Sequence, residues 1–324
     1  MQSWMRSAIV RFDQALSRAH LAVAGERPAL LTFLFHGLFR NDQEVATQAI
    51  DPQQCITVDA FTRFVAHFAA HGYRFVCERD ILEGLDPLQR HVLITFDDGY
   101  FSHMLALEAL EKYQAPTTIF VSTNHVRQQK CFWWDVFHRE MQAAGVSRAQ
   151  AAAEMTELKM KTSEEVEQIL RDRFGDSAFI PRGDIDRPLT PGELRSLSEH
   201  RLISLGNHTA NHAILTNYSA EAALGQIQEC QQAMLEMTGR LPVSIAYPNG
   251  RYSNSVIASA LLAGLRLGIT VDARKNRLPL AGRDAMTLGR FVLDGTRDID
   301  RQCGAYRSDL QLRARLSQRR SGYR

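Results

Sequence analysis

The run His91-Val92-Leu93-Ile94-Thr95-Phe96 leads without a break into Asp97-Asp98-Gly99-Tyr100. A short apolar run rich in β-branched residues and stopped by glycine reads as a fully buried strand. A helix from Met104 to Tyr113 follows, then Pro116 and a second apolar strand, Thr117 to Val121. Strand, helix, strand in that order is the signature of a parallel sheet. The pattern recurs. Residues 29–35 form an apolar run between Pro28 and His36-Gly37, and further short strands are predicted at 73–76, 202–205, 243–247, 267–271 and 286–293. Between them lie a helix opened by Asp59, with Phe61, Phe64, Val65 and Phe68 on one face, and helices at 220–237 and 253–263. Residues 3–24 have helical spacing, 41–56 read as loop, and 133–175 read as helical throughout.

The resulting division is an N-terminal helical extension (1–28), an α/β domain (29–296) with a helical insertion at about 133–190, and a basic tail (297–324). With 324 residues, 45% hydrophobic and 23% charged, the chain excludes disorder, collagen-like repeats and a small disulfide scaffold. It needs no metal to fold, so a metal site would serve chemistry. A net charge of +2 points to no nucleic-acid partner. Residues 301–324 hold seven arginines against Asp309 alone. They read as a solvated terminus or as a peripheral contact with anionic lipid. The five cysteines are scattered and include no C-x-x-C, which argues against a disulfide framework and a cysteine zinc knuckle. No signal peptide or membrane-length apolar stretch stands out, so the sequence as given reads as cytoplasmic.

In parallel α/β architectures the working residues stand at the C-terminal ends of strands. Here those ends carry His36, the pair Asp97-Asp98, His208 with His212, and Tyr247-Pro248-Asn249-Gly250. Adjacent carboxylates repel unless a cation is near, and one can bind a metal while the other takes a proton from water. As helix N-caps or as a magnesium site of a phosphotransfer protein they would look the same. A four-residue spacing puts His208 and His212 on one side of a helical turn, within reach of one metal. His67 and His71 share that spacing but lie in an amphipathic helix far from a strand end, and read as solvent-edge residues. Two imidazoles and a carboxylate suit a divalent transition metal, zinc first, with cobalt or nickel as substitutes.

Thr95-Phe96-Asp97-Asp98-Gly99 followed by His208-Thr-Ala-Asn-His212 closely resembles the polysaccharide deacetylase family (carbohydrate esterase family 4, the NodB-homology domain). Ala246-Tyr247-Pro248-Asn249-Gly250 is similar to that family's third motif. The resemblance implies a distorted (β/α) barrel over roughly 29–293 that uses a divalent metal to remove acetyl groups from N-acetyl sugars. It implies Asp97 as general base, Asp98, His208 and His212 as metal ligands, and the Asn249 backbone N–H as an oxyanion donor. Two departures stand out. Ala246 occupies a position that many members give to arginine, and Leu288-Gly-Arg290 lacks the late histidine that supplies their general acid. The branch acting on bacterial surface polysaccharides has an early strand ending in histidine, which Phe35-His36 resembles. His36 is therefore read as the acid and Arg290 as the stand-in for the missing arginine. Trp133-Trp134-Asp135 also resembles that branch, and reads as packing or as aromatics that stack on sugar faces.

The leading reading is a metal-dependent hydrolase removing N-acetyl groups from an amino-sugar glycan, oligosaccharide or glycolipid. Its rivals are hydrolysis of another non-peptide C–N bond on the same fold and a non-catalytic glycan-binding domain.

Overall fold

The computed structural model describes residues 3–280 and 282–310. Eight parallel strands make one sheet: β1 (Leu30–Phe35), β2 (Arg74–Phe75), β3 (His91–Phe96), β4 (Thr117–Val121), β5 (Ile203–Asn207), β6 (Ser244–Ala246), β7 (Leu267–Ile269) and β8 (Phe291–Val292). Their order is β7-β6-β5-β4-β3-β1-β8. β3 is central. All six of its residues pair with β1 on one edge, while its other edge is shared between β2 at His91–Val92 and β4 at Ile94–Phe96. β1, β3 and β4 are buried along their whole length, as continuous apolar runs between helical layers must be.

The outer edges approach each other through one segment. Leu288 bridges to Ile269 of β7, and three to four residues later Phe291 and Val292 pair with β1. The sheet thus curls into a distorted (β/α) barrel whose seam is the chain from 288 to 292. This corrects the single strand expected at 286–293: residues 282–286 form a 3₁₀ turn, and the chain changes partner at Gly289. A Cβ at Gly289 would lie 2.5 Å from the Asp272 carbonyl oxygen, so the crossing needs glycine.

Other boundaries differ for local reasons. The helix Val58–Ala70 is capped by Thr57, whose Oγ1 accepts from the Ala60 N–H at 3.2 Å, and Asp59 lies inside its first turn. Phe61, Phe64, Val65 and Phe68 are buried against β1 and β3, as their spacing demanded. Within 41–56, read as loop, Asn41 caps a short helix, Asp42–Ala46. The helix after β3 starts as a 3₁₀ segment at Phe101, so neither Asp97 nor Asp98 caps it.

Between β4 and β5 lie the helices Trp133–Ala143, Arg148–Leu158 and Ser163–Phe174. They have their own core, with Phe132, Trp134, Phe137, Leu158, Val166 and Leu170 buried together. At the C-terminal end, the helix Ile299–Arg307 buries Ile299 and Cys303, and Lys275 binds Asp309 at 2.8 Å. Residues 297–310 are therefore packed onto the domain and not a solvated tail. The other five arginines of the basic segment lie in 311–324, outside the described residues. No described helix is long and apolar enough to cross a membrane.

Candidate active site

The strand ends converge as parallel topology requires. His36, Asp97, Asp98, His208, His212 and Asn249 all line one cavity of about 260 Å³. Arg290 lies just beneath it, fully buried and bound to Asp97. All the catalytic and metal-ligand candidates expected from sequence are thus brought to one place.

Asp97 and Asp98 are both buried, but their partners differ. Both Asp97 oxygens accept from Arg290, Nη1 to Oδ1 and Nη2 to Oδ2, each at 2.7 Å. Arg290 is itself fixed by the Thr270 carbonyl at 2.9 Å and by Thr95 Oγ1 at 3.1 Å. Burial pushes the Asp97 carboxyl up, but Arg290 and His208 outweigh it and hold the group below its ordinary range.

Asp98, by contrast, accepts no hydrogen bond at either oxygen among the described residues. Its Oδ1 lies 3.4 Å from His208 Nε2 and 3.4 Å from His212 Nε2. One donor atom from each of the three residues lies within 4.8 Å of the others. A buried carboxylate without hydrogen bonds is costly by several kcal/mol unless a cation shares its site. His208 Nδ1 donates to the Ala246 carbonyl at 2.8 Å, which leaves Nε2 as a lone pair aimed at Asp98. The three residues therefore fit a divalent ion. Burial opposes charge on both imidazoles. At His208 the two carboxylates outweigh it and the pKa is raised, whereas His212 is pushed well below its ordinary value.

The two histidines do not share a helical turn. Residues 208–214 form a loop in which Thr209 (φ 63°) and His212 (φ 51°) are left-handed. The Asn207 side chain accepts from the Thr209 N–H at 2.9 Å, and Thr209 Oγ1 accepts from the Ala213 N–H at 2.7 Å. Side chains, not helix geometry, bring the imidazoles together. Asp98 (φ 80°), Asn249 (φ 58°) and Gln53 (φ 42°) are also left-handed, so with His212 four strained non-glycine positions line the cavity.

His36 ends β1 half-buried. Gln54 Oε1 accepts from its backbone N–H at 3.0 Å and lies 3.0 Å from its Nδ1. The Gln54 amide donates to the Leu34 carbonyl at 2.8 Å, which fixes the oxygen toward His36. Nδ1 must then be the protonated nitrogen, and Nε2 is the one free to exchange a proton. Gln54 carried no sequence signal. It lies in polar loop 18 residues from its partner.

Trp133 and Trp134 line the cavity but are 4% and 7% exposed, so they are packed residues and not exposed stacking platforms. The Trp134 ring meets His212 edge-on at 4.5 Å. Its Nε1 donates to Tyr100 Oη at 2.8 Å, and Tyr100 donates to Asp135 at 2.6 Å. The insertion thus braces a metal-ligand candidate. His67 and His71 stack on each other at 4.2 Å, with His67 bound to Asp300 and no part of the cavity.

The overall architecture is shared with solved structures. The Streptococcus pyogenes deacetylase PplD aligns at TM-score 0.58 and 16% identity, over 86% of this chain and 99% of that one. IcaB from Ammonifex degensii aligns at 0.57 and 16%, over 87% and 99%. The BpsB deacetylase domain from Bordetella bronchiseptica aligns at 0.53 and 15%, over 83% and 97%. No curated protein matches the sequence. Identities this low establish the fold alone. A model of the polysaccharide deacetylase family, however, matches residues 85–268, from the lead-in of β3 through β7 and across Asp97, Asp98, His208, His212 and Asn249. A match over more than half of the chain settles the affiliation: this protein belongs to the polysaccharide deacetylase family.

Proposed function

We propose that the protein is a metal-dependent N-deacetylase of an amino-sugar glycan or glycan precursor. The carrying observation is the buried trio Asp98, His208 and His212 beside an Arg290-bound Asp97. Asp98, His208 and His212 would hold one divalent ion, with zinc the best match to a mixed N/O set and cobalt or nickel as substitutes. Such an ion, when bound, lowers the pKa of water and polarises an acetyl carbonyl.

The protein's own residues supply the rest. Asp97 takes the proton of the attacking water, and Arg290 keeps it ionised and aimed. The Asn249 N–H donates to the carbonyl oxygen as negative charge builds there. His36 Nε2 gives a proton to the departing nitrogen as the C–N bond breaks, so that acetate and a free amine leave. The likeness to PplD and the BpsB domain, both described as deacetylases, supports this reading. The test is acetate release from a panel of N-acetylated oligosaccharides and glycolipids, in chelator and with zinc or cobalt restored. Acetate release that is unchanged by chelation, or none from any N-acetyl sugar, would sink it.

A further inference from the structure

One cavity residue has no place in that mechanism. Lys159 caps the C-terminus of the helix Arg148–Leu158 and lines the cavity that holds Asp97, Asp98, His208 and His212. Its backbone is pinned, since its carbonyl accepts from Asn217 Nδ2 at 3.1 Å and from Arg251 Nη1 at 3.4 Å. Its ammonium is not. Among the described residues Nζ makes no hydrogen bond and no ion pair. Other lysines that draw their heads into the protein are paired: Lys130 grips Glu167 at 2.7 Å and Lys275 grips Asp309 at 2.8 Å. Asp51 lines the same cavity and influences Lys159, but the two are not in contact, and the Asp51 carboxylate accepts from the Gln53 N–H. Arg251, beside Lys159, likewise has no carboxylate partner among the described residues. Its guanidinium rests on the Lys159 carbonyl and the Met160 sulfur. Lys159 therefore lines the cavity with no ion-pair partner, Arg251 lies beside it against its backbone, and Asp51 is a carboxylate of the same cavity that influences the ammonium without pairing with it. Burial also pushes the Lys159 ammonium below its ordinary range.

A half-desolvated ammonium is stabilised most by an anion brought to it. We propose that Lys159, with Arg251 beside it, reads an anionic group on the substrate, so that the amino sugar carries a carboxylate or a phosphate on itself or on the residue joined to it. This rests on the deacetylase reading and narrows its substrate class. The cavity is small, and a charge further along a glycan would not reach this wall.

Binding and turnover separate the two ideas. Three N-acetylhexosamine ligands would be titrated calorimetrically into the zinc-loaded protein: one joined to a neutral hexose, one to a uronic acid, and one carrying a 1-phosphate. Wild type should bind at least one anionic ligand about tenfold or more tighter than the neutral one, as a charge-assisted contact implies. Which of the two it favours distinguishes carboxylate from phosphate. Lys159→Met should lose the preference with affinity for the neutral ligand unchanged, Lys159→Arg should keep it, and added salt should weaken it. Equal affinity for all three in wild type, or an unchanged preference in Lys159→Met, overturns the proposal. Acetate release followed on the same ligands tests the deacetylase reading by itself: a preserved charge preference with no release from any of them overturns that reading and leaves the anion site standing.

Discussion

Two aspartates adjacent in sequence are given opposite surroundings by the fold. Asp97 is saturated by Arg290, and Asp98 is left with bare oxygens facing two imidazoles. Substitution should separate them. Asp98→Asn is expected to lose metal and rate together, whereas Asp97→Asn keeps the metal and loses rate, read by metal analysis of the purified variants alongside acetate release. Equal metal loss in both would merge the roles. His36→Ala should retain metal and fold yet slow amide hydrolysis by about 10²–10⁴, the usual worth of general acid help. An activated ester, whose leaving group departs unprotonated, should be largely spared. Amide turnover within about threefold of wild type falls below that range and would return His36 to a packing role. At this scale the sequence was informative about placement where a residue type stands at a strand end, as for His36, Asp97 and Asp98, which the fold brings to one cavity. It was silent on Gln54 and Lys159, because an amide in a loop or a lysine at a helix end acquires meaning only from what the fold sets against it.

The elements repeat that lesson. β3 and β4 were legible to the residue, since a buried parallel strand is written as a continuous apolar run. The seam at 288–292 was not, because a chain that changes partner mid-run looks like one strand. Nor was the 208–212 loop: its spacing imitates a helix, while Asn207 and Thr209 side chains shape it. The insertion helix Trp133–Ala143 was foreseen as helical, but its bearing on the site was not. Trp134→Ala should remove about 3–5 kcal/mol of packing, the usual cost of emptying a buried tryptophan site. It should also weaken metal retention by freeing His212. Trp134→Phe keeps a ring against His212 and loses the bond to Tyr100, so denaturant titration should place it between wild type and alanine. If Trp134→Ala holds metal as tightly as wild type, the brace has no role in the site.

For the molecule as a whole, Glu26 is the knot between remote segments. It accepts from Tyr73, from Arg90 just before β3 and from Arg307 of the last helix. Burial raises its pKa, but these three donors outweigh it and the group is lowered. A carboxyl lowered by folding adds stability above its unfolded pKa, and that stability fades as pH falls through the folded one. Glu26→Gln should therefore cost about 2 kcal/mol near pH 7, within the range for hydrogen bonds to a charged group. The gap to wild type should narrow as pH drops below the ordinary glutamate range, followed by chemical denaturation at several pH values. A gap that stays constant down to low pH would show that the charge is not what matters.

The seam has a consequence in time. All three metal-ligand candidates have been synthesised once residue 212 is made, but Arg290, which holds Asp97, comes 78 residues later and 193 after Asp97 itself. A nascent or truncated chain ending before the seam has the donors for an ion and an aspartate with no guanidinium to aim it. The Asp97–Arg290 pair therefore forms last, with closure of the barrel, and on the proposed mechanism a chain that stops short of the seam should release no acetate.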